Sequence, residues 1–171
     1  MIVQISGNID NDSVEKLINA TNSTEIDDRV IIYISSRGGN YEAMEAMLHL
    51  INSTKNKYEL VAFGSICSCA FELFFRAKCV KSFAYGCIGM YHQASLNIII
   101  NEKGRTEYKE DEAKKKHLES YIALETTNLC NNLNLTKSEI LNIKKGNDVW
   151  FSNNRMNEIL KRYIAQKLNI K

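Results

Sequence analysis

Residues Val30 to Ile51 read VIIYISSRGGNYEAMEAMLHLI and carry the clearest structural pattern of the chain. It opens with an uninterrupted apolar run of β-branched and aromatic residues, typical of a strand covered on both faces in a parallel sheet. The polar segment around Gly38-Gly39 that follows predicts a turn. Apolar residues then recur at the spacing of one helix face, at Met44, Met47, Leu48 and Ile51. The order strand, turn, helix is one β-α unit.

The same alternation continues on both sides of this unit. The patterns predict strands at 1–5, 58–63, 79–83 and 87–93, and one arm of a hairpin at 96–101. They predict helices from a cap at Asn11 or Asp12, over 69–76, over 106–131, from Thr136 or Ser138 to 143, and over 153–168. Alternating strands and helices predict a single α/β domain over 1–171, with helices packed on a parallel core sheet.

Composition restricts the class of protein. Hydrophobic residues make up 44% and charged residues 25% of the chain, as in soluble globular proteins. Lys+Arg 22 against Asp+Glu 20 gives a formal charge of +2, too even for a surface that seeks nucleic acid or an anionic membrane. The most apolar stretch, Tyr58 to Phe75, is interrupted by Gly64, Ser65 and Glu72, so no transmembrane segment is expected.

Five cysteines, an odd number, occur without a basic-then-apolar leader, so we expect a reduced, cytoplasmic protein. Cys67 and Cys69 form a Cys-x-Cys pair, but no second pair or histidine follows at metal-ligand spacing. Small buried hydrophobic residues are therefore the better interpretation of this pair. Neither a metal site nor a cofactor is predicted.

Among the three histidines, His92 stands apart. It follows the apolar stretch Cys87 to Tyr91 at the end of a predicted strand, where parallel sheets present side chains to a ligand crevice. The alternative is a buried imidazole satisfied by a backbone carbonyl. His49 and His117 lie within predicted helices and are interpreted as surface or boundary residues.

Ser68 begins a predicted helix directly after the Gly64 turn. The amides of a helix N-terminus favour a developing negative charge, so this serine suits a nucleophile. A serine at that place is also an ordinary N-cap. Gly38-Gly39 offers amides without a neighbouring Cβ that suit an oxyanion, and is equally a plain tight turn.

Asp148 is a carboxylate beside the bulky residues Val149, Trp150 and Phe151. It suits the residue that orients an imidazole, and it suits equally well a residue that caps a turn.

Four segments in order resemble one family. Residues 35–39 (SSRGG) are similar to a Ser-Pro-Gly-Gly turn, with Arg37 at the place of the proline. Residues 64–70 (GSICSCA) resemble its nucleophile segment, 90–93 (MYHQ) its Met-Ile-His-Gln segment, and 148–152 (DVWFS) its acidic segment. From about residue 2 to residue 165 the chain resembles the proteolytic subunit of the Clp protease, a serine peptidase family.

The resemblance implies a role for each matching position. These are the catalytic Ser68, His92 and Asp148, the oxyanion-hole amides of Gly39 and Cys69, and the substrate-binding Gly38 and Gln93. Together they imply a serine endopeptidase that cuts peptides or unfolded polypeptides through an acyl-enzyme.

The resemblance also implies the fold and the partners. The fold is the crotonase-like ββα superhelix, with the helix over 106–131 as the projecting handle. The expected assembly is a homo-oligomer, a heptameric ring or double ring. An AAA+ unfoldase partner is left open, because the chain begins at Met1-Ile2-Val3, where the family's core sheet begins. These features fit a short, divergent member such as a phage-type peptidase.

Three other functions are weighed against the peptidase. A catalytically silent scaffold or regulatory subunit would not need the triad. A crotonase-fold enzyme acting on acyl-CoA would use paired amides to hold an enolate-like oxygen, without needing Ser68 and His92 together. A Ser-Lys peptidase would need Lys78 or Lys81 to reach Ser68.

Overall fold

The structure is a computed structural model that describes residues 1–25, 28–93 and 107–168. In that part of the chain, six strands and six helices follow one another in an α/β arrangement. The strands are β1 (Ile2–Ile9), β2 (Arg29–Gly39), β3 (Lys57–Cys67), β4 (Val80–Phe83), β5 (Ile88–Tyr91) and β6 (Val149–Phe151). The helices are α1 (Asn11–Asn22), α2 (Tyr41–Ser53), α3 (Cys69–Arg76), α4 (Glu107–Asn132), α5 (Lys137–Lys144) and α6 (Asn153–Leu168).

The strands form one sheet in the order β1-β2-β3-β5-β6, with β4 paired to β3 off this path. All pairs are parallel except β5 with β6, which is antiparallel. The long β3 pairs with β4 along Glu59 to Ala62 and with β5 along Ser65 to Cys67. This division brings the carboxyl ends of β3 and β5 side by side. Ser68 directly follows β3, and His92 directly follows β5.

In the described part of the chain, the two faces of β2 are buried to different extents. Burial alternates along β2, where Val30, Ile32 and Ile34 are fully buried while Tyr33 is 39% exposed. The prediction that this strand is covered on both faces is therefore wrong for the isolated chain. An apolar run specifies a strand, but it cannot specify whether a helix lies over its second face.

β2 and β3 extend further than predicted. The segment around Gly38-Gly39 remains paired with β1, with Gly39 opposite Ile9, so the predicted turn is the end of a strand. The N–H of Asn40 donates to the Ile9 carbonyl at 2.8 Å and continues this contact into the first turn of α2. The Gly- and Ser-rich sequence is typical of a turn, but here its backbone N–H and C=O groups are satisfied by pairing with neighbouring strands.

The helices agree more closely with their predicted ranges. Asp10, rather than Asn11 or Asp12, caps α1 by accepting from Ser13 N–H, and α4 covers the predicted range from Glu107 onward. The predicted hairpin arm at 96–101 lies outside the described residues. None of the helices in the described part is long and apolar enough to cross a membrane.

α3 lies at the centre of the core. Its residues from Cys69 to Phe75 are all buried, and all of them except Glu72 are apolar or weakly polar. Phe71 stacks on Tyr91 at 5.2 Å between ring centroids and on Phe151 at 5.3 Å. The helix that begins at Ser68 is thereby packed against both β5 and β6.

Candidate active site

Ser68 connects the end of β3 to the start of α3 in an unusual conformation. Its φ of 52° and ψ of −122° lie where few residues other than glycine are found, and such strain is typical of functional sites. Its N–H donates to the Met90 carbonyl at 2.8 Å, and its own carbonyl accepts from Glu72 N–H at 3.0 Å. Ser68 occupies the N-cap position, yet its side chain makes no capping hydrogen bond. The hydroxyl is thus directed away from the helix.

His92 lies directly after β5 and meets that hydroxyl. The parallel register places Cys67 opposite Met90, so the residues that follow each strand are neighbours. Ser68 Oγ and His92 Nε2 are 2.9 Å apart, within hydrogen-bonding distance. The interpretation of His92 as an imidazole satisfied by a backbone carbonyl does not fit this contact.

Asp148 completes the chain of side chains. Its Oδ1 lies 2.8 Å from His92 Nδ1. Because an ionised carboxylate only accepts hydrogen bonds, Nδ1 carries the imidazole proton and donates a hydrogen bond to Asp148. In the neutral imidazole this leaves Nε2 as the acceptor for the Ser68 hydroxyl.

The end of α5 positions Asp148. The Ile143 carbonyl accepts from Gly146 N–H at 2.9 Å, with Gly146 in a left-handed conformation at a φ of 78°. The same carbonyl accepts from Gln93 N–H at 3.1 Å. One carbonyl of α5 therefore connects the segment that follows His92 to the turn that leads to Asp148.

The glycine pair lies against the nucleophile segment. A Cβ on Gly38 would be 2.8 Å from Ser68 Cβ and 3.2 Å from Cys69 N, closer than side chains tolerate. Gly39 has a φ of 150°, and a Cβ there would be 2.3 Å from the Ile9 carbonyl oxygen. Cys69 Sγ also donates to the Gly39 carbonyl at 3.4 Å. The two segments expected to supply oxyanion donors are thus in contact beside Ser68.

A family model for Clp protease matches residues 1–153, which include all the site residues. The chain belongs to the Clp protease family. This confirms the resemblance drawn from the four motifs, and it supports a peptidase with the fold of that family. No curated protein matches the chain.

Burial keeps the thiols of this Clp protease family member protonated around the site. Burial raises the pKa of Cys67 and of Cys69, which flank the serine on both sides. A protonated thiol is a poor nucleophile, so neither cysteine competes with Ser68 as the candidate nucleophile. Within the described residues, no group of three or more His, Cys, Asp or Glu side chains is arranged to hold a metal ion.

Sequence patterns missed a charged cluster directly behind Ser68. Glu72, in the first turn of α3, is 3% exposed and pairs with Arg76 at 2.6 Å. The only signal in the sequence was a glutamate within the most apolar stretch of the chain, four residues before an arginine. That spacing predicts a helical ion pair, but it cannot predict that the pair is buried.

Proposed function

We propose that this member of the Clp protease family is a serine endopeptidase that cuts peptides and unfolded polypeptides. Ser68 is the nucleophile, His92 the base and Asp148 the residue that orients the imidazole. The continuous contact from Ser68 to His92 at 2.9 Å and from His92 to Asp148 at 2.8 Å carries the proposal. The active unit is a single domain over residues 1–171, working in the cytoplasm.

Acylation begins with proton transfer. As Ser68 Oγ attacks the carbonyl carbon of the scissile bond, His92 Nε2 takes the hydroxyl proton. The imidazolium that forms is stabilised by Asp148 through Nδ1–H. His92 then gives the proton to the leaving amine, the C–N bond breaks, and an ester to Ser68 remains.

The negative oxygen of the tetrahedral intermediate requires fixed donors. The amides of Gly39 and Cys69 serve this role, and the contact between their two segments supports it. Cys69 N also lies at the N-terminus of α3, where the helix dipole favours negative charge. Water, deprotonated by His92, hydrolyses the ester by the reverse sequence of steps.

Substrate docks as an extended strand beside Gly38 and Gln93. The N–H of Gln93 already donates to Ile143, and the N–H of Gly38 donates to Ser36 Oγ at 3.0 Å. The substrate contacts proposed at both residues therefore use their carbonyl groups or, for Gln93, its side chain.

The working form is a homo-oligomer, a heptameric ring or double ring with α4 as the handle between rings. Members of this family typically form oligomeric rings. Leu124 is 57% and Tyr121 38% exposed on α4, a pair of large apolar side chains that contact with a second copy would cover.

A fluorophosphonate probe tests the proposal after the assembly state is measured by light scattering. We expect an assembly well above the 19.5 kDa monomer, labelled on one serine. The matched control is Ser68→Ala, which should assemble equally and lose all labelling. A fluorogenic peptide should be cut by the first protein and not by the second.

The outcomes separate the competing functions. A well-assembled protein that neither labels nor cuts peptides would favour the scaffold. Turnover of acyl-CoA thioesters that survives in Ser68→Ala would favour the crotonase-type enzyme. A protein that stays at 19.5 kDa at every concentration would contradict the ring.

A further inference from the structure

A buried carboxylate lies behind the candidate triad, at the centre of the core. Glu72 belongs to α3, whose other residues in the first two turns are apolar and buried. Burying a carboxylate costs several kcal/mol unless partners compensate, so its contacts indicate what holds it there. They lead to three of the segments that carry the proposed active site: the nucleophile, the base and the glycine pair.

The first connection is to the nucleophile. Glu72 N–H donates to the Ser68 carbonyl at 3.0 Å, the first hydrogen bond of α3. The strained backbone of Ser68 is thereby joined to the residue whose side chain is anchored in the core. Any rotation of α3 about its axis would move Ser68 together with Glu72.

The second connection is to the base. Tyr91, which immediately precedes His92, donates its hydroxyl to Glu72 Oε2 at 3.2 Å. Tyr91 is 1% exposed, and its ring stacks on Phe71. The hydroxyl also lies 3.4 Å from Thr126 Oγ1 of α4. The position of the His92 backbone thus depends on a phenol bound to the same carboxylate.

The third connection is to the glycine segment. Tyr41, two residues after Gly39, donates its hydroxyl to Glu72 Oε1 at 3.4 Å. Tyr41 begins α2 directly after the end of β2. Glu72 therefore contacts the side chain directly before the base and a side chain two residues after the proposed oxyanion donor.

Arg76 holds the carboxylate in place. Its guanidinium lies 2.6 Å from Glu72, 2.5 Å from Glu45 and 3.1 Å from Glu125. Glu45 belongs to α2 and Glu125 to α4, so one cation ties three helices to the same point. Burial raises the pKa of Glu72, and the charge of Arg76 opposes that rise.

We propose that Glu72 is a positioning residue for this active site. It sets the distance between the Ser68 hydroxyl and the His92 imidazole by holding Tyr91 and the first turn of α3 on one carboxylate. The inference rests on the function proposed above for Ser68. Glu72 itself does not touch the reacting atoms, so its effect falls on kcat more than on KM.

Two variants test the proposal against a matched control. Tyr91→Phe removes only the hydroxyl that Glu72 accepts, and Glu72→Gln removes the charge while keeping the side-chain volume. Tyr58→Phe is the control, because Tyr58 is also buried and its hydroxyl lies 3.0 Å from both Thr21 and Thr54. All three lose polar contacts in the core, but only the first two lose contacts to the site.

For each protein we compare three quantities: the rate at which a fluorophosphonate labels Ser68, the kinetics of peptide cleavage, and the unfolding midpoint. Tyr91→Phe and Glu72→Gln should label about tenfold more slowly or worse, with KM nearly unchanged, because misplacement of about 1 Å can cost about 10²-fold. Tyr58→Phe should lower the unfolding midpoint as much as Tyr91→Phe while labelling within about twofold of wild type. Equal labelling by all four proteins would overturn the proposal.

A second readout separates failure of the positioning role from failure of the proposed function. If the wild-type protein is labelled no faster than Ser68→Ala, the peptidase proposal fails. The positioning role of Glu72 is then tested separately by the ring ¹⁵N resonances of His92. Tyr91→Phe and Glu72→Gln should shift those resonances, because the Ser68 contact changes, whereas Tyr58→Phe should not. Resonances that stay at their wild-type positions in both variants would refute positioning by Glu72.

Discussion

The two sides of the proposed triad are built in different ways. On the nucleophile side, Ser68 stands at the start of α3, whose residues from Cys69 to Phe75 are all buried. On the acid side, Asp148 follows the mostly exposed α5, and its side chain is 53% exposed. One side is held by the core of the domain and the other by local contacts on its surface.

Each side is braced by a Glu-Arg pair, and the two pairs behave in opposite ways. Burial raises the pKa of Glu72 despite Arg76. Burial acts in the same direction on Glu139 of α5, but Arg155 and Thr136 outweigh it and lower the pKa. We therefore expect changes to the backbone or packing around Ser68 to lower both stability and activity, whereas Asp148 can be replaced with little cost in stability.

The largest loss of activity is expected from a substitution on the acid side. Asp148→Asn should lower kcat on the order of 10⁴-fold, because an amide favours the wrong tautomer of His92. The unfolding midpoint should stay at the wild-type value, since the side chain is exposed. Peptide kinetics and calorimetry measure the two quantities, and a large loss of stability would contradict the comparison.

Next in size is a change on the nucleophile side. Gly38→Ala should lower both activity, by about 10²-fold or more, and stability, by about 1–3 kcal/mol. The new Cβ would meet Ser68 Cβ at 2.8 Å, at a φ of 104°. Labelling rates and urea unfolding measure the two losses.

Gly86→Ala is the matched control for Gly38→Ala. Gly86 lies between β4 and β5, with a φ of 78° and nothing within 4 Å of the added Cβ. Only the backbone penalty of about 1–2 kcal/mol applies there, and labelling should remain within a few fold of wild type. Equal losses of labelling in the two variants would show that the loss in Gly38→Ala does not come from its contact with Ser68.

A smaller effect is expected where α5 begins. Thr136 accepts from Glu139 N–H, and the Glu139 side chain accepts from Thr136 N–H, a complete capping box. Thr136→Ala should cost about 1 kcal/mol of stability and leave labelling within a few fold. Urea unfolding measures the cost, and Ser138→Ala beside it is a control that leaves the capping box intact.

The smallest effect is the pH dependence of the Glu139–Arg155 ion pair, whose atoms lie 2.9 Å apart. Because the folded-state pKa of Glu139 lies below 4.5, its stabilisation is present above that pH and is lost as the pH falls through the folded-state pKa. Glu139→Gln should cost about 0.2–1 kcal/mol at pH 7. The difference from wild type should shrink as the pH falls below 4.5, and a difference that grows there would reverse the assigned sign.

Much of the fold could be predicted from local patterns. The helices at 69–76, 106–131 and 153–168 follow from apolar spacing, and the structure places them at the same residues or within one. β6 was missed, because Val149-Trp150-Phe151 is too short to show a period. The predicted turns at residues 35–40 and 64–68 were mostly strand, since pairing with a neighbour overrides the turn preference of Gly and Ser.

The order of the motifs predicted the candidate site residues, but it did not predict the buried residues that contact their segments. Ser68, His92 and Asp148 each carried a motif, and the structure brings the three side chains together. Glu72 carried no motif, and the motif at 90–93 gave no reason to connect its Tyr91 to Glu72. A hydrogen bond between a buried helix and a strand 19 residues away leaves no periodic signal.

By itself, the amino-acid sequence determined which segments become strands or helices and which residue types stand at their ends, because hydrophobic spacing and capping act within a few residues. The pairing of β3 with both β4 and β5 is a property of the tertiary structure. It places His92 next to Ser68, which lies 24 residues earlier in the chain, and next to Asp148, which lies 56 residues later. The tertiary structure also decided that Glu72 is buried among the segments it joins. The physical reason is that register and burial depend on how distant surfaces pack, and no local pattern encodes which surfaces will meet.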